Sequence, residues 1–249
     1  MQIIHGSSAK TRLSRRNLGL AVGLGLGGII LVLLPIFGVI STQVDWLIII
    51  GGVGLIAGAG WFGWQFWNYA NYNRIQKQLD AHLANNLDNN FVYFRNLILP
   101  ETKSVGEING VLLGPHGALV IEVANLGGEF ICERDTWYKF TGGNKPNASD
   151  NLDKYRRRLT DSPTWHVIRA AREVKAWLSV RNLPQVPVQP VVVLAKGKVK
   201  SVKQPSCPIV ELWYLETYLK SNLLSQATNS GTSPISKLAV EQIATRLKQ

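Results

Sequence analysis

Two long uncharged segments near the N-terminus constrain this chain more than any other feature. The first covers residues 17–44, the second covers 46–73, and Asp45 is the sole charge between them. Each segment exceeds the roughly 20 apolar residues that are needed to cross the hydrocarbon core of a bilayer. The pattern therefore predicts two transmembrane helices, 18–40 and 46–67, that form a tight hairpin.

The charges around these segments predict their orientation. Four basic residues precede the first segment and two follow the second: Lys10, Arg12, Arg15, Arg16, Arg74 and Lys77. By the positive-inside rule, the N-terminus and the domain after the second helix both face the cytoplasm of a two-span membrane protein. A signal peptide is the alternative for the first segment. Its apolar run is longer than a typical h-region, however, no Ala-x-Ala site follows, and a second span comes at once.

The remaining sequence predicts a soluble α/β domain with a short tail before the hairpin. The predicted organisation is a basic tail (1–17), the hairpin (18–67), the domain (68–224) and a C-terminal linker with a helix (225–249). The apolar periodicity within the domain predicts these elements in order: a helix (69–87), five strands (91–99, 108–113, 118–123, 130–133 and 137–140), a helix starting at Pro163 after a Ser162 cap (163–180), strands 186–194 and 209–212, and helices 215–224 and 236–248.

The chain is strongly basic, with a formal net charge of +11. Such a surface favours polyanions, either nucleic acid or anionic lipid headgroups; the alternative is a solvated surface that only keeps the domain soluble. Two clusters are the candidates for nucleic-acid binding: Lys154, Arg156, Arg157 and Arg158, and then Lys196 and Lys198. The two cysteines are too few for a disulfide framework or a zinc site and are expected to be reduced core residues.

A strand pair carries the residues that indicate chemistry. Residues 107–125 contain two apolar runs joined by a Gly-Pro-His-Gly turn, with Glu107 near the start of the first and Glu122 near the end of the second. Two carboxylates brought together by a hairpin can hold a divalent cation through hard oxygen ligands. These two glutamates are therefore the candidate ligands of a divalent metal ion.

These motifs resemble the nuclease-related domain (NERD) family over roughly residues 70–220. The likeness is carried by segments 91–99, 107–110, 114–117 and 120–123, by Trp137 and by the helix that starts at Pro163. The resemblance implies a restriction-endonuclease-like α/β fold with a mixed central sheet and a PD-(D/E)xK metal site. In such a site an aspartate and a glutamate ligate Mg²⁺, and a lysine orients the attacking water.

The chain departs from the family pattern at the reacting positions. Asn109 stands where the family carries its aspartate, and Ala124 stands where it carries its lysine. The first helix has Asp80 as its sole acid instead of a glutamate, and His166 occupies the position of a later glutamine. The resemblance thus implies a weakened site whose candidate catalytic residues are Glu122, Glu107, Asn109 and His166.

These departures predict a membrane-anchored, catalytically impaired nuclease homologue that binds nucleic acid or protein on the cytoplasmic face. One alternative is a working metal-dependent nuclease that uses Glu107, Glu122 and a relocated cation such as Lys139. A second alternative, from another class, is a structural partner of another membrane protein, with the hairpin helices as the interface.

Overall fold

A computed structural model describes residues 1–5, 9–36, 45–99, 106–115, 117–140, 156–180, 186–222 and 237–247. The chain divides into a helical unit, Ser8–Ile75, and a globular unit that combines Met1–Ser7 with Gln76–Gln249. The cation Lys154 and the predicted turn between the apolar helices lie outside the described residues.

The helical unit contains two long apolar helices, α1 (Ala9–Ile36) and α2 (Asp45–Asn86). Both are long and apolar enough to cross a membrane by length and composition. Their outward-facing side chains are large and uncovered, for example Ile30, which is 58% exposed, and Ile50, which is 61% exposed. The last turns of α2, from Gln76 onward, belong to the globular unit, so that the helix predicted at 69–87 is the continuation of the second apolar helix.

The two apolar helices pack backbone to backbone at one pair of glycines. A Cβ atom added at Gly28 would lie 2.7 Å from the carbonyl oxygen of Gly52, and one added at Gly52 would lie 2.6 Å from Cγ2 of Val32. Nearer the end of the pair, the Asn17 amide donates a 2.9 Å hydrogen bond to Gln65. Small residues at a helix interface are what allows this close approach, as the glycine-rich sequence predicts.

The globular unit is an α/β domain built on an eight-stranded mixed sheet. This confirms the predicted class and the mixed sheet. The elements are β1 (Gln2–His5), β2 (Val92–Ile98), β3 (Glu107–Gly114), β4 (Gly117–Glu133), β5 (Thr136–Phe140), β6 (Arg156–Arg158), α3 (Pro163–Val180), β7 (Val188–Lys203), β8 (Ile209–Glu211), a 3₁₀ turn (Leu212–Tyr214), α4 (Leu215–Asn222) and α5 (Lys237–Leu247).

Strand β4 organises the sheet because it is long enough to pair with two different strands along one edge. Its first half pairs antiparallel with β3, and its second half pairs antiparallel with β5, which in turn pairs with β6. Strand β7 runs parallel to β4 along the whole opposite edge. We call β4 residues 117–124 with β3 the base. The arm is β4 residues 125–133 with β5, β6 and β7 residues 196–203.

Helices cover both faces of the base. Ala118, Val120 and Ala124 belong to one buried apolar cluster together with the inner face of α3, whereas Leu119 and Ile121 are buried outside this cluster. Because side chains alternate along a strand, α3 covers the even-numbered face of β4. The opposite face meets the last turns of α2, where the carboxylate of Asp80 pairs with Arg95 of β2 at 3.1 Å.

Three features differ from the expected element pattern. The N-terminal tail contains a strand, β1, which pairs parallel with β2. Strand β4 is continuous through Gly127 and Gly128, where the sequence predicted a break between two strands. Strand β7 continues through the lysine-rich segment to Lys203 instead of ending at residue 194.

Candidate functional site

A row of polar side chains crosses β2 and the two strands of the base. Asn96 of β2 lies opposite Asn109 of β3, between the paired residues Arg95–Gly110 and Leu97–Ile108. Since Gly110 pairs with Ile121, the same register continued by one residue places Asn109 opposite Glu122. Directly opposite residues in an antiparallel pair share one face, with Cβ atoms roughly 5 Å apart. We call Asn96, Asn109 and Glu122 the polar row.

The polar row lies on the face of the sheet that α3 covers. Asn96 and Asn109 are almost completely buried, and Glu122 is half-buried. Asn96 adopts a positive φ of 54°, a backbone conformation that asparagine tolerates better than most residues. Sequence reasoning missed Asn96, although the interruption of an apolar strand by an amide was a signal that could have found it.

Glu107 lies two residues before Asn109 on the same side of β3. It is half-buried, and its Oε1 atom is buried without a hydrogen-bond partner among the described residues. A buried oxygen without a hydrogen-bond partner destabilises the folded protein by about 1–3 kcal/mol. The Oε1 atom of Glu107 is therefore the atom of the base that is best placed to accept a hydrogen bond or to bind a cation. The strand pair therefore brings Glu107, Asn109 and Glu122 to one face, as the alternation predicted.

The position of the family's lysine is filled by the apolar core. Ala124 lies on the same side of β4 as Glu122, is 5% exposed, and packs in the cluster that contains the inner face of α3. No group of three or more His, Cys, Asp or Glu side chains suited to a metal ion occurs among the described residues. A donor set of two carboxylates and two amides, with an alanine in the position of the family's lysine, does not fit a catalytic Mg²⁺ centre.

Asp80, the acid on the last turns of α2, is directed away from the polar row. Asp80 pairs with Arg95, and Arg95 shares its face of the sheet with Gly110, whose missing side chain leaves room for the Tyr93 ring. That face is the one opposite Asn109, because neighbouring residues on a strand point to opposite sides. Asp80 therefore has a structural role, in which it compensates the charge of a buried arginine.

His166 lies at the start of α3, and its side chain is exposed. The contact that is described for it is made by its backbone, whose N–H donates to the Ser162 carbonyl at 3.1 Å. The hydroxyl of Ser162 accepts from the backbone N–H of Trp165 at 3.4 Å, as expected of a cap, and donates to the Asp135 carbonyl at 2.6 Å. No described contact brings His166 to the polar row.

The start of α3 is fixed to the arm by Asp135 and Trp137. The Trp137 indole N–H donates to the hydroxyl of Thr164 at 3.2 Å, and Trp137 itself is buried. The buried carboxylate of Asp135 accepts hydrogen bonds from the backbone N–H and the hydroxyl of Ser206. These contacts hold the turn between β4 and β5, the first turn of α3 and the segment before β8 together.

The predicted cationic residues that are described lie on the arm. Arg156 contacts Glu133 at 3.4 Å and lies over the Tyr138 ring, while Lys203 contacts the same carboxylate at 3.1 Å. Because these cations surround it, with the Lys203 hydrogen bond as the main cause, the pKa of Glu133 falls below its usual value. Five other cations on the arm have no ion-pair partner among the described residues: Lys139, Arg157, Arg158, Lys196 and Lys198.

Lys139 does not lie beside the polar row. Its Cε atom is 3.3 Å from the position that a Cβ of Gly128 would occupy. Gly128 is six residues beyond Glu122 on β4, past an irregularity in the pairing of β4 with β7, and Lys139 itself pairs with Phe130 on the arm. The described position of Lys139 therefore gives no support to a relocated catalytic lysine.

A cleft of about 440 Å³, which no sequence pattern predicted, opens on the α2 side of β7. Its walls come from the last turns of α2, from the middle of β7 and from the 3₁₀ turn. Its main polar and aromatic lining residues are Gln78, His82, Asn85, Lys196, Glu211 and Trp213.

Comparison with known proteins agrees with the motif. The family model of the nuclease-related domain, NERD, matches residues 68–195, just over half of the chain. No curated protein and no solved structure shows a significant match. The matched segment contains the strand pair with Glu107, Asn109 and Glu122, all of α3 and the first half of β7. The chain belongs to the nuclease-related domain family.

Proposed function

We propose that this protein is a membrane-anchored NERD domain on the cytoplasmic face that binds nucleic acid and has lost most or all nuclease activity. The domain is expected to have a restriction-endonuclease-like fold, with the polar row in the place of its PD-(D/E)xK site. The observation that carries the proposal is the separation between Glu122, in the base, and the five cations on the arm that have no ion-pair partner among the described residues.

Membrane anchoring is supported by the surfaces of the two apolar helices. Their exposed side chains are large and apolar, and exposing them to water is unfavourable by roughly 25 cal/mol per Å². Strand β1 precedes α1, yet it belongs to the globular unit that follows α2. A chain that leaves this unit and returns to it crosses a bilayer an even number of times, in agreement with two spans and with both ends on one side.

Loss of catalysis is supported by the chemistry of the polar row. An amide at Asn109 supplies no negative charge to hold a metal, and the Ala124 methyl supplies no positive charge to orient water or stabilise a developing oxyanion. Removing one donor that stabilises a developing oxyanion typically reduces the rate of an enzyme by a factor of about 10²–10³. Two replacements at one centre leave little of the acceleration that the family site provides.

Binding of nucleic acid is supported by the surplus of positive charge on the arm. Glu129 and Glu133 together engage Lys200, Arg156 and Lys203, and the five other cations of the arm have no ion-pair partner among the residues that the structure describes. Neutralising phosphates with exposed lysine and arginine side chains releases counterions and gives sequence-independent affinity. The edge strand β6 contributes two of these cations, Arg157 and Arg158, at adjacent positions.

The test uses the full chain in detergent micelles, because truncation before residue 68 would remove β1. Labelled single- and double-stranded oligonucleotides are incubated with Mg²⁺ or Mn²⁺, and both binding and cleavage are measured. We expect salt-sensitive binding without metal-dependent cleavage. Arg157→Ala with Arg158→Ala should weaken binding, whereas Arg172→Ala with Lys175→Ala, which removes two exposed cations of α3, should not.

Two outcomes would overturn the proposal. Robust metal-dependent cleavage that Glu122→Ala abolishes would establish a working nuclease. The second outcome is absence of oligonucleotide binding at low salt, together with equal binding of the wild type and of the Arg157→Ala, Arg158→Ala variant to anionic vesicles. It would show that the arm does not bind polyanions.

A further inference from the structure

The cleft beside β7 contains an aromatic side chain that is held in place but left uncovered. Trp213 is 72% exposed, and its indole N–H donates to the carboxylate of Glu211. The other oxygen of Glu211 accepts the backbone N–H of Val199 at 3.3 Å, so that the carboxylate is fixed to β7. The Tyr214 ring packs edge-on against Trp213 with a centroid distance of 5.6 Å. The indole is thus oriented without being buried.

An oriented, exposed indole is suited to stacking. Tryptophan buries a large apolar area when it is covered, and a flat π-system is its natural partner. The cleft volume of about 440 Å³ lies in the range of small-ligand sites, roughly 300–1,000 Å³. A single planar ring system therefore fits the space that the indole borders.

The other walls of the cleft supply groups for the edge of such a ring. Gln78 and Asn85 present exposed amides from the last turns of α2, and His82 lies between them along the helix. Amide side chains offer both donors and acceptors, which match the mixed edge of a nucleobase. A purely apolar aromatic ligand would leave these groups desolvated and unpaired.

The cleft continues into the cationic surface of the arm through Lys196. Lys196 lines the cleft, and Lys198 follows two residues later on β7, opposite Glu129 of β4. Between them Gly197 adopts a φ of +84°, and a Cβ there would lie 2.5 Å from the Gly128 carbonyl oxygen. Glycine at this position allows β7 to approach β4 closely while the two lysines remain exposed.

We propose that the cleft takes one unpaired base of a single-stranded nucleic acid, stacked on Trp213, while Lys196 and the arm hold the adjoining phosphates. This inference rests on the proposed nucleic-acid binding and adds a preference for single strands. A base within a duplex is stacked on both faces and paired along one edge, so it cannot enter the cleft. The class of nucleic acid follows from this geometry: a single strand binds with both the arm and the cleft, and a duplex with the arm alone.

The test compares single-stranded and duplex oligonucleotides of equal length by fluorescence anisotropy, with the full chain in micelles. We expect Trp213→Ala to weaken single-strand binding by roughly 5- to 100-fold, the range of one lost base–aromatic stack. Duplex binding should change less than about twofold, since stacking plays no part in it. Trp213→Phe, which keeps a flat ring, should restore most of the single-strand affinity.

The controls separate this inference from the proposed function. If Arg157→Ala with Arg158→Ala weakens both strand forms while Trp213→Ala changes neither, the arm binds nucleic acid and the cleft inference is wrong. Equal weakening of both forms by Trp213→Ala also overturns it. If the wild type binds neither form at low salt, the proposed function itself fails. Matching thermal unfolding of the variants verifies that substitution at this exposed position leaves the fold intact.

Discussion

The two halves of strand β4 differ sharply in burial and in charge. In the base, Val120 and Ala124 are buried, and Glu122 lies between Asn109 of β3 and Val192 of β7. In the arm, Glu129 is exposed and Glu133 half-buried, and both are surrounded by lysine and arginine. Strand β4 therefore contributes to a largely buried polar row at one end and to a solvent-exposed cationic surface at the other.

This difference shows how a nuclease-type frame can persist without its chemistry. The base requires a flat, apolar strand pair to keep its register, because a slip of one residue would move every core side chain to the wrong face. The reacting groups are not needed for that register. Amide and methyl side chains at Asn109 and Ala124 thus preserve the strand pair, while the arm keeps a surface for polyanions.

The largest expected effect concerns the arm. Replacing Arg157, Arg158, Lys196 and Lys198 by alanine removes four unpaired cations and should lower affinity for duplex DNA by roughly 10²–10³-fold at 0.1 M salt. The slope of log K against log salt should become shallower by about 2–4, because fewer counterions are released. Anisotropy titrations across a salt series measure both quantities.

The base supplies the matched comparison for this prediction. Glu107→Gln alters the polar face without touching the arm, and it should leave the salt slope unchanged. If the variant with four substitutions in the arm instead retains the wild-type slope of log K against log salt, the phosphates are bound elsewhere. The contrast between base and arm would then have no functional meaning.

The next effect concerns the carboxylate that holds the turn between β4 and β5 to the segment before β8. Asp135→Ala removes two hydrogen bonds to a buried carboxylate and places alanine at a φ of +66°. We expect a loss of about 2–4 kcal/mol in the free energy of unfolding, measured by urea denaturation in micelles. Asp135→Asn keeps an acceptor and tolerates the positive φ, so it should cost about half as much. Equal stability of all three proteins would show that the arm is not fixed through this residue.

Much of the base could be predicted from the sequence because its signals are local. Alternation of apolar residues and the turn between them identified the strand pair, and the face shared by Glu107, Asn109 and Glu122 followed from that alternation. The start of α3 was likewise predictable from Ser162 and Pro163. The same residues also carried the family resemblance that the family comparison confirms.

The arm and the cleft depended on long-range contacts that no local pattern reveals. The lysine-rich half of β7 lacks apolar alternation, and it is a strand because it pairs with β4 along its length. Strand β1 consists of a few residues whose partner is about 90 positions away, as the pairing of Gln2 with Val92 shows. The cleft joins Gln78 to Trp213, and only the folded chain brings these residues together.

A smaller effect is expected from repairing the base. Asn109→Asp restores a carboxylate beside Glu122, and with Ala124→Lys it restores both of the family's missing groups. We expect Mg²⁺ binding that calorimetry can detect, with an affinity at least several-fold above that of the wild type. Asn109→Asp alone should account for most of this gain, because a carboxylate ligates Mg²⁺ and a lysine does not.

The burial of Ala124 predicts a cost for the second substitution. A lysine at this position must displace apolar contacts with α3 or extend its amine toward Glu122, and we expect a loss of about 1–3 kcal/mol in stability. If Mg²⁺ binding does not change in either variant while both remain folded, the polar row does not have the arrangement of the family's metal site.

The smallest effect concerns the reactivity of the two buried cysteines, which shows whether the arm stays packed in solution. Burial is the main cause that raises the pKa of the Cys132 thiol, in the arm half of β4, to about 11 and that of Cys207 to about 12. Thiolate, the reactive form, is therefore scarce at pH 8, and both sulfurs are covered. Iodoacetamide should leave both cysteines unmodified in the native protein and alkylate both after denaturation, as read by mass spectrometry. Val202→Cys introduces a thiol at a position that is 43% exposed on the arm and should react readily. Modification of native Cys132 at the rate of this control would mean that the arm opens in solution, and the contrast would then be one of stability rather than of charge.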